Sequence, residues 1–388
     1  MAYKRTFLIV LDSVGIGAAK DSDKYGDGTS NTLGHIIEKT NIKLPNLARL
    51  GLYNLLDISE EKTIGYYTKG LPESNGKDSL TGHLEMMGIK TIDAPKTFTE
   101  KGFPKKLIKA IEYETERKVI GNYAASGTEI IEKLGAEQMK TGSIIIYTSA
   151  DSVLQVAAHE SIIPVKELYR ICEIIRKVTL KDEWKVGRII ARPFKGTPGN
   201  FVRLTEKRKD YAIDPEEKTV LDSLVEKKYS VLSIGKIADL FNNRGITATA
   251  RVNDNLDAIK KIVKTMKIDF TGLCFANLND FDSKYGHRRD VEGYAKALQE
   301  FDKYLPNIVN SLKPDDLLII TADHGNDPTY IGTEHTRENV PVLVFSRKLK
   351  QTGELPYLQS FADIGATIAD NFNCGKPKQG KSFLNKLK

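Results

Sequence analysis

The stretch LLIITADHGND, residues 317–327, decides how this chain is interpreted. Its first part, Leu317 to Ile320, is continuously apolar, which is typical of a strand buried on both faces of a parallel sheet. An Asp-His pair, Asp323-His324, follows that run after two intervening residues. Because sites in parallel α/β sheets form at the carboxyl ends of the strands, the stretch predicts both an α/β fold and a site at one sheet edge.

The rest of the chain repeats this pattern. Three further apolar runs have the same character: Phe7 to Leu11, Leu273 to Leu278 and Val340 to Phe345. Longer helix-like segments lie between the runs: Leu221 to Lys228, Leu256 to Met266 and Val291 to Leu312. The alternation predicts an α/β core with a largely parallel sheet flanked by helices. We expect the last helix to break at Leu305-Pro306, because proline interrupts a helix interior.

The middle of the chain differs from this core. It has strand candidates of its own, at Ser143 to Thr148, Val186 to Ala191 and Asn200 to Leu204, and turn residues in GTPG at 196–199. Asp214-Pro215 then has the residue types of a helix start. We therefore predict a core domain formed by residues 1–96 and 213–388, with a smaller α/β or α+β cap domain inserted at 97–212.

Composition excludes several classes of protein. A chain of 388 residues with 40% hydrophobic and 28% charged residues is an ordinary globular protein. Its apolar runs are shorter than the ~18 residues that span a bilayer, and the N-terminus is too polar for a signal peptide. Three widely spaced cysteines suit a reducing compartment, so we expect a cytoplasmic protein without membrane contact. A net charge of +7 is too dilute to predict a nucleic-acid partner and fits an anionic small substrate.

Acids and imidazoles follow three of the predicted strands: Asp12 after the first, Asp282 and His287 after the run ending at 278, and Asp323, His324 and His335 after the run ending at 320. Two carboxylates about 4 Å apart repel by roughly 4 kcal/mol at an effective dielectric near 20, so three together need compensation. Two divalent cations would supply it, and mixed imidazole and carboxylate ligands suit Mn²⁺ or Zn²⁺. A pair of metal ions of this kind can catalyse phosphoryl transfer. Taken singly, each Asp after a strand would more simply be interpreted as a helix cap.

A nucleophile candidate lies in GKDSLTGH, residues 76–83. A hydroxyl here would lie where a loop becomes a helix, and the unpaired N–H groups of a helix N-terminus favour phosphate. The spacing does not choose between Ser79 and Thr81. A simple helix cap, at Asp78 or Ser79, is the alternative interpretation.

Over nearly its whole length the chain resembles the phosphopentomutases of the alkaline phosphatase superfamily. The matching motifs are DSVGIG (12–17), NTLGH (31–35), DSLTGHLEMMG (78–88), YTSADSV (147–153), GHRRD (286–290), ADHGND (322–327) and FADIGAT (361–367). The Asp-His-Gly part is shared across the superfamily, whereas GHRR and TSADS are more specific. Asn31 and Asn279 depart from the pattern, and neither is a proposed ligand.

The resemblance implies interconversion of (deoxy)ribose 1-phosphate and 5-phosphate, with a sugar 1,6-bisphosphate as activator and pentose phosphates as the only partners. It makes Thr81 the residue that carries the phosphate. It assigns one Mn²⁺ to Asp12, Asp323 and His324, and a second to Asp282, His287 and His335. It implies substrate contacts at Ser149, Asp151, Val153, Arg188 and Arg203 in the cap, and at Lys236 in the core.

Two alternatives stay open at this point. A two-metal phosphatase or sulfatase of the same superfamily would hydrolyse its substrate, and a metal-dependent phosphoglycerate mutase would be expected to have a longer chain and a serine nucleophile. The sequence does not predict the number of associated chains.

Overall fold

Residues 2–58, 62–93, 96–149 and 152–388 are described by the computed structural model. The chain divides into two units. The core unit comprises Met1–Ala94 and Pro215–Lys388, and the inserted unit comprises Pro95–Asp214.

The strands of the described residues are, in chain order, β1 (Arg5–Leu11), β2 (Tyr66–Gly70), β3 (Val119–Ala124), β4 (Ile144–Thr148), β5 (Val153–His159), β6 (Arg188–Thr197), β7 (Asn200–Arg203), β8 (Lys209–Ala212), β9 (Ser230–Ile234), β10 (Ala248–Ala250), β11 (Gly272–Leu278), β12 (Asp316–Thr321), β13 (Val340–Phe345) and β14 (Gly353–Glu354). The α-helices are α1 (Thr32–Thr40), α2 (Pro45–Arg49), α3 (Leu52–Leu55), α4 (Ser79–Met86), α5 (Lys105–Thr115), α6 (Gly127–Thr141), α7 (Val165–Val178), α8 (Val220–Glu226), α9 (Ile237–Leu240), α10 (Asn255–Met266), α11 (Val291–Ser311) and α12 (Ala362–Asn371).

The core unit is built on a sheet of eight strands in the order β10-β9-β11-β1-β12-β13-β2-β14. Among the described strands of this sheet, β13 alone runs against the others. Every residue of β1, β11 and β12 is buried, as their continuous apolar sequences require. Helices such as α8, α9 and α10 flank the sheet, so the predicted α/β fold with a largely parallel sheet is confirmed.

Four neighbouring parallel strands of this sheet, β9, β11, β1 and β12, end at the same edge. Lys236, Asp282, Asp12 and Asp323 follow these four ends in that order. The sheet therefore brings together side chains that lie up to 311 residues apart in the sequence.

The inserted unit has a mixed sheet of its own, in the order β3-β4-β5-β6-β7, with β8 paired to β6. Strands β5 and β6 are parallel, whereas β4 pairs antiparallel with β5. Helices α5 and α7 pack together beside a buried apolar cluster that includes Leu107 and Ile171, and α6 covers a second cluster around Ile130 and Phe194. The unit therefore has its own hydrophobic core.

The expected helix break at Pro306 is wrong, because α11 continues through this residue. Proline has no N–H group and leaves the carbonyl of residue 302 without its helical partner. Nδ2 of Asn46 donates to that Asp302 carbonyl at 3.0 Å and replaces the missing bond. A side chain 256 residues away thus compensates for the proline.

The expected helix start at Asp214-Pro215 is also wrong. Helix α8 begins at Val220, after a capping box in which Thr219 and Asp222 each bond the other's backbone N–H. This reciprocal cap satisfies two backbone N–H groups at the start of the helix, whereas a single capping side chain such as Asp214 would satisfy one, so the cap at Thr219 is the more favourable helix start.

Among the described residues, the longest apolar helices fall short of what crossing a membrane requires.

Candidate active site

The first group of candidate metal ligands surrounds Asp282, which lies in a π-helical turn at Phe281–Gly286. Nε2 of His287 lies 3.2 Å from Asp282 Oδ2, and Nε2 of His335 lies 3.2 Å from Oδ1. The two Nε2 atoms are 3.1 Å apart, so both rings are aimed at one point. Such N and O atoms around one point can hold a divalent cation.

The second group joins Asp12, Asp282 and His324, whose ligand atoms lie within 4.8 Å of one another. Nε2 of His324 is 3.5 Å from Asp12 Oδ1 and 3.5 Å from Asp323 Oδ2. The structure thus brings the six predicted ligands into one cluster, in which Asp282 is shared by both groups.

One buried atom tests whether the cluster fits metal ions. Oδ2 of Asp12 accepts hydrogen bonds from Asn277 Nδ2 at 2.8 Å and contacts Lys236 Nζ at 2.5 Å. Oδ1 of the same carboxylate is buried and has no hydrogen-bond donor among the described residues. An unsatisfied buried oxygen is costly, and a cation would satisfy it. The donor set therefore fits divalent cations of the kind that accept both imidazole and carboxylate.

The pKa values of the three carboxyls Asp12, Asp282 and Asp323 are shifted in different directions. Burial opposes the charged form of each, but the imidazoles beside Asp282 and Asp323, above all His335 and His324, hold the pKa values of both carboxyls below their usual range. For Asp12, burial and the charge of Asp323 together raise the pKa. Without metal, one acid of the cluster is therefore more easily protonated than the others.

The acids in turn keep the nearby cations protonated. Burial disfavours the charged form of His324, yet Asp323 and Asp12 raise its pKa above the ordinary 6.5. Burial likewise opposes the charge on Lys236, and the same carboxylates outweigh it, so its pKa is raised as well. A metal ion binding His324 must therefore displace a proton.

The two hydroxyl candidates lie in the first turn of α4, which is capped by Asp78. Oγ1 of Thr81 donates to Asp78 Oδ2 at 2.7 Å, and the Thr81 N–H donates to Oδ1 at 3.1 Å. Oγ of Ser79 lies 3.2 Å from His324 Nε2 and accepts from Lys236 Nζ at 2.7 Å. The Ser79 hydroxyl thus touches the cluster directly, whereas the Thr81 hydroxyl bonds to the cap. Lys236, expected as a substrate contact, lies within the cluster.

Two buried side chains that the sequence analysis did not select support the cluster. Nδ1 of His83 donates to the Ser79 carbonyl at 2.8 Å and lies 3.2 Å from Asp323 Oδ2. Asn277 donates to Asp12 from the penultimate position of β11. Each had a signal in the sequence, because His83 ends the GKDSLTGH segment and Asn277 interrupts an apolar run.

Gly82 allows α4 to approach the cluster. A Cβ atom at this position would lie 2.2 Å from the Asp323 carbonyl oxygen, closer than any real contact. The glycine therefore permits the first turn of α4 to pack against the end of β12.

The loop before α4 is held from one side by Arg337, which is 2% exposed. All five of its N–H donors are used. Nε and Nη2 donate to the carboxylate of Asp21 at 3.0 and 3.1 Å. The others donate to the carbonyls of Pro72 (3.1 Å), Ser74 (2.7 Å) and Gly76 (2.6 Å). No sequence signal pointed to this arginine.

Glu85 holds the same loop from α4. Its buried carboxylate accepts the N–H groups of Glu73 and Ser74, the N–H of Phe361 and the hydroxyl of Ser360. Arg337 thus binds loop carbonyls and Glu85 binds loop N–H groups. Together they bind three carbonyls and two N–H groups of residues 72–76.

The other predicted substrate residues lie in the inserted unit. Val153 and Arg188 are opposite each other in the register of β5 and β6, Arg203 ends β7, and Ser149 follows β4. Asp151 lies outside the described residues. The buried Tyr147 Oη and Arg192 Nε, which the sequence analysis did not select, have no hydrogen-bond partner among the described residues.

Burial lowers the pKa of Arg192 to about 10 and raises that of Tyr147. Arg203 and Arg208 are near enough to both to act on these pKa values. The inserted unit therefore contains a group of arginines whose charge is partly paired, since Asp210 lies 2.7 Å from Arg208 and 3.6 Å from Arg188. Its unsatisfied donors, Arg192 Nε and Tyr147 Oη, are of the kind that can bind an anion.

The two departures from the expected motifs have local roles. Oδ1 of Asn31 caps α1 by accepting the Gly34 N–H at 3.1 Å, and asparagine caps helices as well as aspartate does. Nδ2 of Asn279 donates to the exposed Ser283 hydroxyl at 2.8 Å.

Comparison with known proteins matches residues 4–376 to a family model described as the metalloenzyme superfamily. A protein from Pyrococcus horikoshii is 15% identical, with 98% of this chain and 100% of that chain covered and a TM-score of 0.50. A phosphoglycerate mutase of Leishmania mexicana is 11% identical over 98% and 97% of the chains, with a TM-score of 0.48. An alkaline phosphatase mutant with bound Mg is 11% identical over 97% and 99%, with a TM-score of 0.39. At 15% identity, the likeness to the Pyrococcus horikoshii protein concerns the fold alone.

Proposed function

The chain belongs to the metalloenzyme superfamily, and from that premise we propose that it is a phosphopentomutase. It would interconvert the 1-phosphates and 5-phosphates of ribose and deoxyribose. The observation that carries the proposal is the pair of Asp/His groups that share Asp282, beside a helix N-terminus that presents two hydroxyls. The more specific motifs YTSADSV and GHRRD favour a pentose mutase over a phosphatase.

In the proposed cycle, Thr81 begins with a phosphoryl group on Oγ1. The free hydroxyl oxygen of the sugar phosphate forms a bond to phosphorus as the Oγ1–P bond breaks, and the hydroxyl proton passes to Thr81 Oγ1, which gives a sugar bisphosphate and a free Thr81 hydroxyl. The sugar then reorients. Oγ1 of Thr81 bonds to the phosphorus of the other phosphate as that sugar O–P bond breaks, and the Thr81 proton passes to the sugar oxygen. Asp78 orients the unphosphorylated hydroxyl through the 2.7 Å hydrogen bond, and the N–H groups at the start of α4 favour the phosphate.

Two Mn²⁺ ions, one held by Asp12, Asp323 and His324 and one by Asp282, His287 and His335, would neutralise the charge on the transferring phosphoryl oxygens. Asp282 would also lie within reach of the first ion, because it belongs to both groups of candidate ligands. The positive charge of Lys236 lies beside Ser79 and would add to this stabilisation.

The second phosphate of the substrate needs a separate site. Arg188 and Arg203, with the unsatisfied donors of Arg192 and Tyr147, support its placement in the inserted unit. We also propose that residues 97–212 act as a cap that excludes water, that a sugar 1,6-bisphosphate charges Thr81, and that the protein works in the cytoplasm on small phosphates without nucleic acid or membrane.

The decisive experiment incubates the protein with ribose 1-phosphate, with and without Mn²⁺ and glucose 1,6-bisphosphate, and follows both ribose 5-phosphate and free phosphate. We expect metal-dependent isomerisation with little phosphate release. Release of phosphate without isomerisation would instead indicate a two-metal phosphatase.

A matched pair of variants tests the nucleophile. After incubation with the bisphosphate, intact mass spectrometry should detect covalent phosphate on Ser79→Ala and none on Thr81→Ala. The reverse result would make Ser79 the phosphate carrier, in line with its contact with His324.

A further inference from the structure

A cavity of about 660 Å³ opens in the core unit beside the metal cluster. Its volume suits a small-molecule ligand. His335, a ligand of the first metal group, forms part of its wall, so a molecule in the cavity would lie next to the cluster. The wall also includes His35, Lys77, Asp27 and Glu334, which the proposed cycle does not use.

His35 is held in one orientation by Asp327, whose side chain is fully buried. Nδ1 of His35 donates to Asp327 Oδ2 at 2.6 Å. The carboxylate also accepts the Asn31 N–H at 3.0 Å and, from Thr329, the N–H at 2.9 Å and the hydroxyl at 2.8 Å. Burial opposes the charge on Asp327, but these hydrogen bonds outweigh it and lower the pKa of the carboxyl. The residue is therefore an anionic acceptor, and Nδ1 of His35 carries the hydrogen.

In the neutral tautomer that carries its hydrogen on Nδ1, Nε2 of His35 is an acceptor, and His35 lines the cavity. The side chain is 31% exposed, and its hydrogen bonds within the described part of the chain all involve Nδ1. A neutral imidazole with its Nδ1 hydrogen committed offers a lone pair at Nε2, which matches a hydroxyl donor.

The remaining wall residues favour the same kind of ligand. Lys77 Nζ donates to Asp27 Oδ2 at 2.8 Å, so the charge of Lys77 is already paired. Glu334 adds a further carboxylate to the wall. A cavity with carboxylate and imidazole acceptors and one paired ammonium suits a polyhydroxylated molecule better than a bare phosphate dianion.

We propose that this cavity binds the sugar moiety of the pentose phosphate, with Nε2 of His35 accepting a hydrogen bond from one sugar hydroxyl. Asp327 is the positioning residue that orients the ring. The inference rests on the proposed function for the identity of the substrate.

The test compares His35→Asn with His35→Gln. Asparagine retains a donor toward Asp327 but removes the acceptor on the cavity side, whereas glutamine restores a group near the position of Nε2. For His35→Asn we expect KM for ribose 1-phosphate to rise about three- to tenfold with little change in kcat, as for the loss of one neutral hydrogen bond in binding. Glutamine should recover part of the loss. Glu38→Gln, an exposed position on the same helix, is the matched control.

Binding is also measured directly, by calorimetric titration of ribose 5-phosphate into the Mn²⁺-loaded protein, with Mn²⁺ content and thermal midpoint determined for each variant. We expect the Asn variant to bind more weakly at unchanged metal content and stability. Unchanged affinity and KM in this variant overturn the inference, as does an affinity loss that follows loss of metal or of the fold.

These outcomes separate the inference from the proposed function. A wild-type protein that isomerises pentose phosphates while His35→Asn behaves normally refutes only the inference. A wild-type protein that binds ribose 5-phosphate in a His35-dependent way without isomerising it refutes only the proposed function. A protein that neither binds nor converts the sugar refutes both.

Discussion

Replacing Arg337 should uncouple the loop before α4 from the rest of the site. Arg337→Met removes the donors to the three carbonyls of residues 72, 74 and 76, which are 2.6 to 3.1 Å from the guanidinium. Each buried acceptor left without a donor costs about 1–3 kcal/mol. Because the loop can rearrange and expose some of these carbonyls, we expect the free energy of unfolding to fall by about 3–5 kcal/mol. The ion pair with the partly exposed Asp21 adds little.

The effect on activity should exceed the effect on stability. Gly76, one of the anchored residues, lies against Thr81, since a Cβ atom on Gly76 would be 2.7 Å from Thr81 Oγ1. A loop that moves by about 1 Å would misplace that hydroxyl, and a misplacement of this size costs about 100-fold in rate. Arg337→Lys, which keeps the charge but cannot match five donors in a fixed plane, should retain only part of the function.

Urea unfolding, kcat/KM for isomerisation, covalent phosphate and Mn²⁺ content together measure these effects, with the exposed Arg347→Lys as control. We expect both Arg337 variants to keep their metal, Arg337→Met to lose covalent phosphate and Arg337→Lys to retain part of it. If Arg337→Met and Arg337→Lys matched the wild type in stability and rate, the loop would not depend on this side chain and the reasoning would fail.

Three further predictions follow from the core unit. Asp282→Asn should remove both metal ions because both groups share this carboxylate, whereas His287→Asn should remove one; equal metal loss in elemental analysis would contradict the sharing. The raised pKa of His324 means that its charge stabilises the metal-free protein fully below pH 6.5 and that this contribution is lost as the pH rises through the folded-state value. The thermal midpoint in chelator should therefore fall over that range while Mn²⁺ affinity rises, and a midpoint that rises would refute the assignment. Arg5→Met should lower the free energy of unfolding by about 3–5 kcal/mol in urea titration, because it leaves the buried carboxylate of Asp316 without its partner; a loss below 1 kcal/mol would argue against this.

Some features of this protein could be predicted from local sequence. The continuous apolar runs of β1, β11 and β12 predicted buried parallel strands, because only a strand covered on both faces needs apolar residues at every position. Asp12 and Asp323 were candidate ligands for the same reason, since they lie one and two residues after the ends of such strands. Local sequence was less reliable for predicting where helices end. Pro306 predicted a break, but α11 continues because Asn46, from a distant segment, donates to the carbonyl that the proline leaves unpaired.

What the sequence alone determined was therefore the class of the fold and the residue types at its strand ends, since both follow from hydrophobic periodicity along a few neighbouring residues. The order of the strands was decided by the tertiary structure, and with it the contact of Lys236 with Asp12 and the shared position of Asp282. Only the folded chain also showed that the Ser79 hydroxyl meets the cluster and that Arg337 anchors the loop. The physical reason is that these contacts join residues hundreds of positions apart, and no local periodicity records which distant segments will meet.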